Sequence, residues 1–63
     1  MQLIVTAQHQ GRVISFQQRS PSGALEKAHQ LQKEGLAQVV ISDITGRAYD
    51  PSDFAARFVR AGV

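Results

Sequence analysis

Gln10-Gly11-Arg12-Val13 and, further along, Ser20-Pro21-Ser22 set the architecture of this chain, because they encode a tight hairpin turn and then the start of a helix. The same chemistry returns in Thr45-Gly46-Arg47-Ala48 and Asp50-Pro51-Ser52. Glycine favours tight turns, and a capping residue before proline favours a helix start. Two hairpins, each followed by a helix, predict one ββαββα domain of the α+β class over residues 1–63. Repeated use of the same turn and capping chemistry explains the pattern about as well as a duplication does.

The first hairpin alternates between apolar and polar side chains from Leu3 to Gln18. A two-residue Gln10-Gly11 loop would pair His9 with Arg12 and continue in steps of two to Leu3 with Gln18. One face of the hairpin then carries Leu3, Val5, Ala7, Ile14 and Phe16. The other face carries Ile4, Thr6, Gln8, Val13, Ser15 and Gln17. We therefore expect a buried, dry face and a solvent-exposed, wet face. The register should be well specified, since a slip of one residue would exchange the two faces.

Helix signals follow the hairpin. Ser20 as cap, Pro21 at the first position and Gly35 as terminator predict a helix from about Pro21 to Glu34. Its buried stripe is Ala24, Leu25, Ala28 and Leu31, and Lys27 is among the polar residues that point away. A second helix is expected to begin after Asp50. Its buried stripe is Phe54, Ala55, Phe58 and Val59, and its outer stripe is Asp53, Arg57 and Arg60.

A second pair of strands is expected between the helices. The run Val39-Val40-Ile41 predicts a third strand within 36–43, and Arg47-Ala48-Tyr49 can pair back on it only briefly. Because the first helix acts as a crossover, the third strand should lie beside the first. The predicted sheet is small and mostly antiparallel, with the order 2-1-3-4 and both helices on one face. This ββαββα layout resembles many small α+β domains of bacterial or phage type, a similarity that fixes no function.

Side chains suited to catalysis or metal binding are few and scattered. The two histidines, His9 and His29, do not have metal-ligand spacing, and Asp43, Asp50 and Asp53 are explained by turn and helix-capping roles. We therefore predict no catalytic residue, no cofactor and no metal, and hence no enzyme. The absence of cysteine favours a reducing, cytoplasmic setting. No apolar run approaches the roughly 20 residues that span a bilayer, so we expect a soluble, unprocessed chain without a membrane partner.

Two binding hypotheses remain. The first is a protein-interaction module that uses the wet face for a protein partner or for self-association as a homodimer. Its candidate residues are Ile4, Thr6, Gln8, Val13, Ser15 and Gln17, and Val40 joins Ile4 and Val13 as an apolar anchor. The second is DNA or RNA binding through the first hairpin, with phosphate contacts from Arg12, Arg19 and Arg47. A net charge of only +2 and the lack of aromatic residues on the wet face count against it.

Overall fold

The computed structural model describes residues 2–59, which form a four-stranded sheet with helices packed on one face. Its elements in chain order are β1 (Leu3–His9), β2 (Arg12–Gln18), α1 (Pro21–Lys33), β3 (Ala37–Asp43), β4 (Ala48–Tyr49) and α2 (Pro51–Phe54), after which a π-helix runs over Ala55–Val59. The strand order is β2-β1-β3-β4, and every neighbouring pair is antiparallel. The predicted α+β class and strand order are thus confirmed.

The first hairpin has the predicted register. His9 pairs with Arg12, and the ladder runs to Leu3 opposite Gln18. The turn residues Gln10 and Gly11 have φ values of 51° and 79°. Positive φ at both central residues defines the type I′ turn, whose twist matches that of the flanking strands. The turn chemistry therefore sets which side chains of β1 and β2 face the helices.

Both helix starts follow the capping rules. The Ser20 hydroxyl accepts a hydrogen bond from the Gly23 amide at 3.1 Å, and the Asp50 carboxylate accepts one from the Asp53 amide at 2.8 Å. Helix α1 ends at Lys33, one residue before the predicted end, because Glu34 is its C-terminal cap. Gly35 follows with a φ of 89°.

The core lies between the helices and one face of the sheet. Its fully buried residues are Leu3, Val5, Ala7, Ala24, Ala28, Leu31, Val39, Ile41 and Phe54. The two alanines of α1 let this helix approach β1 and β3 closely. Ile14 and Phe16 of β2 face the same side but are only half-buried. Lys27 does not point away as predicted, because its ammonium group lies 4.2 Å from the centroid of the Phe16 ring. The Lys27 side chain thus covers part of the Phe16 ring, which α1 does not bury completely.

A β-bulge interrupts the pairing of β1 with β3. Thr6 lies opposite Val40, whereas Gln8 lies opposite Ala37, so the β3 strand has one extra residue here. Gln38 takes up the irregularity with a φ of 52°, which is a left-handed conformation. Bulges generally increase the local twist of a strand.

The end of the second helix differs from the predicted regular pattern. The α-helix proper covers only Pro51–Phe54, and the chain continues as a π-helix. In so short a segment tertiary packing outweighs helix propensity. Phe54 and Phe58 stack at 4.7 Å between centroids, and Tyr49 contacts Phe58 edge-on at 5.3 Å. Of the predicted stripes, Arg60 and the side chain of Val59 lie outside the described part of the chain.

Candidate interaction surface

The sheet has one surface that faces away from both helices, which we call the open face. Cross-strand pairing aligns its side chains in rows: Gln17, Ile4, Ser42 and Ala48; Ser15, Thr6 and Val40; Val13, Gln8 and Ala37. All six candidate residues of the sequence hypothesis therefore lie on this one surface, together with Val40. None of the side chains in these rows carries a charge, and none is fully buried.

Each row of the open face contains an apolar side chain. Ile4 is 39% exposed and Val13 is 65% exposed, while Val40 in the middle row is half-buried. A shallow depression of about 180 Å³ lies here. Its lining consists of Thr6, Ala7, Gln8, Val13, Gln38 and Val40. Small apolar side chains of a partner could fill this depression without burying a charge.

Gln38 is a residue of the surface that the sequence reasoning missed. It forms one wall of the depression because the bulge turns the backbone at this point. Non-glycine residues rarely adopt a positive φ, and glutamine is not among the types that favour it. No pattern in the sequence marks Gln38 for this conformation, so only the three-dimensional pairing of β1 with β3 reveals it.

The free edge of β2 adjoins the open face. In a two-residue hairpin, the residues that flank the loop exchange both backbone hydrogen bonds, and bonding then alternates along the ladder. From the observed register, Arg12, Ile14, Phe16 and Gln18 direct their backbone groups towards β1. The N–H and C=O groups of Val13, Ser15 and Gln17 point outward. Within residues 2–59 no strand pairs with this side of β2.

The three aspartates take part in a turn, a helix cap and an ion pair. Asp43 ends β3, and its Oδ1 atom accepts hydrogen bonds from the Thr45 hydroxyl at 2.6 Å, the Thr45 amide at 2.9 Å and the Arg47 amide at 3.1 Å. The hydrogen bond from the Thr45 hydroxyl lowers the pKa of Asp43 most, and the hydrogen bonds from the Arg47 and Thr45 amides lower it further. Asp50 caps α2, and Asp53 forms a 3.1 Å ion pair with Arg57. Each of these carboxylates has a local structural role.

The three arginines of the nucleic-acid hypothesis are not brought together. Arg12 lies at the hairpin tip, and its place in the register puts it on the same face of the sheet as Ile14 and Phe16, the face that carries the helices. Arg19 follows β2, and Arg47 precedes β4, so both lie near the opposite end of the sheet. β2 has seven residues, so its two ends are six steps of about 3.4 Å, or roughly 20 Å, apart. The open face between them is uncharged, and no stripe of positive charge results.

The residues that the structure describes show neither a metal-binding cluster nor a membrane-spanning helix. Residues 2–59 contain no group of three or more histidine, aspartate or glutamate side chains placed to hold a metal ion. In the same range, neither helix has the length and apolar composition that a membrane crossing requires. His9 and His29 are both exposed, one at the hairpin tip and the other on α1.

Comparison of the chain with protein-family models, with curated proteins and with solved structures finds no match.

Proposed function

We propose that this chain is a small non-enzymatic protein-interaction module that binds a protein through the open face and the adjoining edge of β2. One observation carries the proposal: the rows of side chains on the open face contain no charge and include the exposed Ile4 and Val13. The centres of protein–protein interfaces are depleted in charged residues, and a polar rim surrounds them. Here Gln8, Gln17 and Ser42 supply that rim.

The two exposed apolar side chains of the open face would supply part of the binding free energy. Covering the exposed parts of Ile4 and Val13 would contribute about 1 kcal/mol each, from the usual stabilisation per area of apolar surface removed from water. The glutamine, serine and threonine side chains can exchange hydrogen bonds with water for hydrogen bonds with the partner. No charge needs to be desolvated, so this cost does not arise. The cost of lost translational and rotational freedom has to be offset by further contacts, such as backbone hydrogen bonds along the β2 edge. The absence of cysteine from the sequence supports a site of action in a reducing compartment such as the cytoplasm.

Binding of DNA or RNA through Arg12, Arg19 and Arg47 is the alternative function. The roughly 20 Å between the two ends of β2 and the uncharged surface between them weigh against it. Phosphate binding would also make affinity fall steeply with salt. Salt dependence therefore separates the two functions.

A charge placed in the middle of the open face tests the proposal. Thr6→Lys puts an ammonium group at the centre of the middle row, whereas Gln32→Lys adds the same charge on the exposed side of α1. Each variant and the wild type are immobilised, and the proteins that they retain from a lysate are compared quantitatively. We expect the wild type and Gln32→Lys to retain the same proteins and Thr6→Lys to lose them.

Equal retention by all three proteins would overturn the assignment of the open face. A parallel measurement uses fluorescence anisotropy with mixed DNA and RNA fragments at low and at physiological salt. A salt-sensitive complex that Arg12→Ala and Arg19→Ala weaken together would favour the nucleic-acid function instead. We expect no such complex at physiological salt.

A further inference from the structure

We infer that the β2 edge pairs with β2 of a second copy of this chain, antiparallel about a twofold axis at Ser15, to give one continuous eight-stranded sheet. This inference rests on the proposed function, because it assigns the β2-edge part of the proposed interaction surface to a second copy and leaves the open face to a different protein partner. Its basis is the backbone, the half-buried side chains of β2 and the distribution of charge along this strand.

The backbone of β2 is complementary to itself. Its outward-pointing residues are Val13, Ser15 and Gln17, which are spaced symmetrically about Ser15. With the axis at Ser15, each Val13 lies opposite Gln17 of the second copy, and the two Ser15 residues lie opposite each other. Each of these pairs exchanges two hydrogen bonds, about six in total. A shift of the axis to Ile14 or Phe16 would leave one outward residue of each copy without a partner.

The β2 edge also lacks the devices that protect edge strands from pairing. Such devices are short length, proline, lysine, bulges and charges in the strand. β2 is seven residues long and regularly paired, and its only charge is Arg12 at the first position. The other side of the sheet differs, because β4 has only two residues and β3 is distorted by the bulge at Gln38. Only one of the two edges is therefore a good template for a further strand.

The incomplete burial of side chains on the helix side of β2 also favours pairing at this edge. Val5 and Ala7 of β1 are fully buried, whereas Phe16 and Ile14, their partners on β2, are only half-buried. The proposed register sets Ile14 of one copy opposite Phe16 of the other, twice around the axis. Aromatic and β-branched side chains form favourable cross-strand pairs. Pairing of the edges would thus cover the part of the core that α1 leaves exposed.

The charges of β2 favour the antiparallel arrangement. The stretch Val13–Gln18 is uncharged, with Arg12 and Arg19 on either side. In the proposed register each Arg12 lies opposite Gln18 of the second copy, whose amide oxygen can accept a hydrogen bond from the guanidinium group. The two Arg12 side chains are then about 20 Å apart. Arg19 of the second copy follows Gln18 and lies next to Arg12, but it is outside the strand and opposite Gly11 rather than opposite Arg12. A parallel pairing in register would place them side by side.

Substitution of Ser15 tests the inference at a position whose backbone groups do not bond within the hairpin. Ser15→Pro removes an N–H group that points away from β1, and edge strands tolerate proline at such positions. Ser15→Ala removes the hydroxyl group but keeps the N–H. Sedimentation equilibrium gives the dimer dissociation constant of each protein. We expect a reversible wild-type dimer, a constant within about threefold of wild type for Ser15→Ala, and at least a tenfold increase for Ser15→Pro, which loses two hydrogen bonds at the axis.

A second pair of variants keeps the test informative if Ser15→Pro does not fold. Ser15→Lys places two like charges directly opposite each other at the axis, whereas Thr6→Lys places them one strand further from it. We expect Ser15→Lys to weaken the dimer more at low than at high salt, because salt screens the repulsion, and Thr6→Lys to leave it intact. A wild type that stays monomeric to about 1 mM, or substitutions at Ser15 without effect, would overturn the inference. Retention of lysate proteins by the wild type but not by Thr6→Lys would still support the proposed function.

Discussion

Truncation of Ile41 and truncation of its neighbour Val40 should have very different consequences, because the two side chains lie on opposite faces of β3. Ile41 is 0% exposed and belongs to the core. Ile41→Ala removes most of this side chain from a closed site and should lower the free energy of unfolding by about 2–5 kcal/mol. A domain of this length has a total of roughly 3–9 kcal/mol, so the variant should be near its unfolding limit. Ile41→Val should cost only ~0.5–1.5 kcal/mol.

Val40 provides the matched control on the open face. It is half-buried, and Val40→Ala opens no closed cavity, so we expect a loss of about 1 kcal/mol or less. Urea unfolding followed by circular dichroism measures all three variants. The measurements share one protein concentration, because self-association would make stability depend on it. Equal losses for the two alanine variants, or a larger loss at Val40, would refute the assignment of faces on which the candidate surface depends.

Three further substitutions test local features. Gln38→Gly should raise the free energy of unfolding by about 1 kcal/mol, because glycine adopts the φ of 52° without steric cost; a loss in urea unfolding would contradict this. Ser20→Ala should lower it by about 1 kcal/mol through loss of the α1 cap, and an unchanged midpoint would show that the 3.1 Å hydrogen bond contributes nothing. The pKa of Asp43 is below its ordinary value of 3.8, so this carboxylate stabilises the fold above that pH and ceases to do so as pH falls through the folded-state value. The melting temperature of Asp43→Asn should thus lie below that of wild type at neutral pH and converge with it only as the pH falls through the lowered pKa of Asp43, whereas a gap independent of pH would refute the role of the charge.

The sequence predicted those features that depend on local chemistry. The Gln10-Gly11 loop determined the register of β1 with β2, and alternation along the hairpin then separated the core face from the open face. Ser20 and Asp50 marked both helix starts, and the crossover placed β3 beside β1. Each of these features follows from a few neighbouring residues, which is why one sequence is enough to find them.

Features that depend on packing between elements were not predictable in this way. The bulge at Gln38 arises where β3 meets β1, and its residue type gives no sign of a positive φ. The contact of Lys27 with Phe16 depends on where α1 crosses the sheet, which helical periodicity does not specify. The same position of α1 leaves Ile14 and Phe16 half-buried, so the incomplete burial of the helix side of β2 is visible only in the structure.

Amide hydrogen exchange as a function of protein concentration tests the paired β2 edge most directly, because it needs no substitution. At low micromolar concentration the amides of Ile14 and Phe16 should be protected by β1, while those of Val13, Ser15 and Gln17 exchange freely. At high concentration the second set should become protected as well, with Ser15 at the centre. The pairing of the β2 edges would be contradicted if the amides of Val13, Ser15 and Gln17 stay unprotected at every concentration. It would also be contradicted if protection develops at other residues instead.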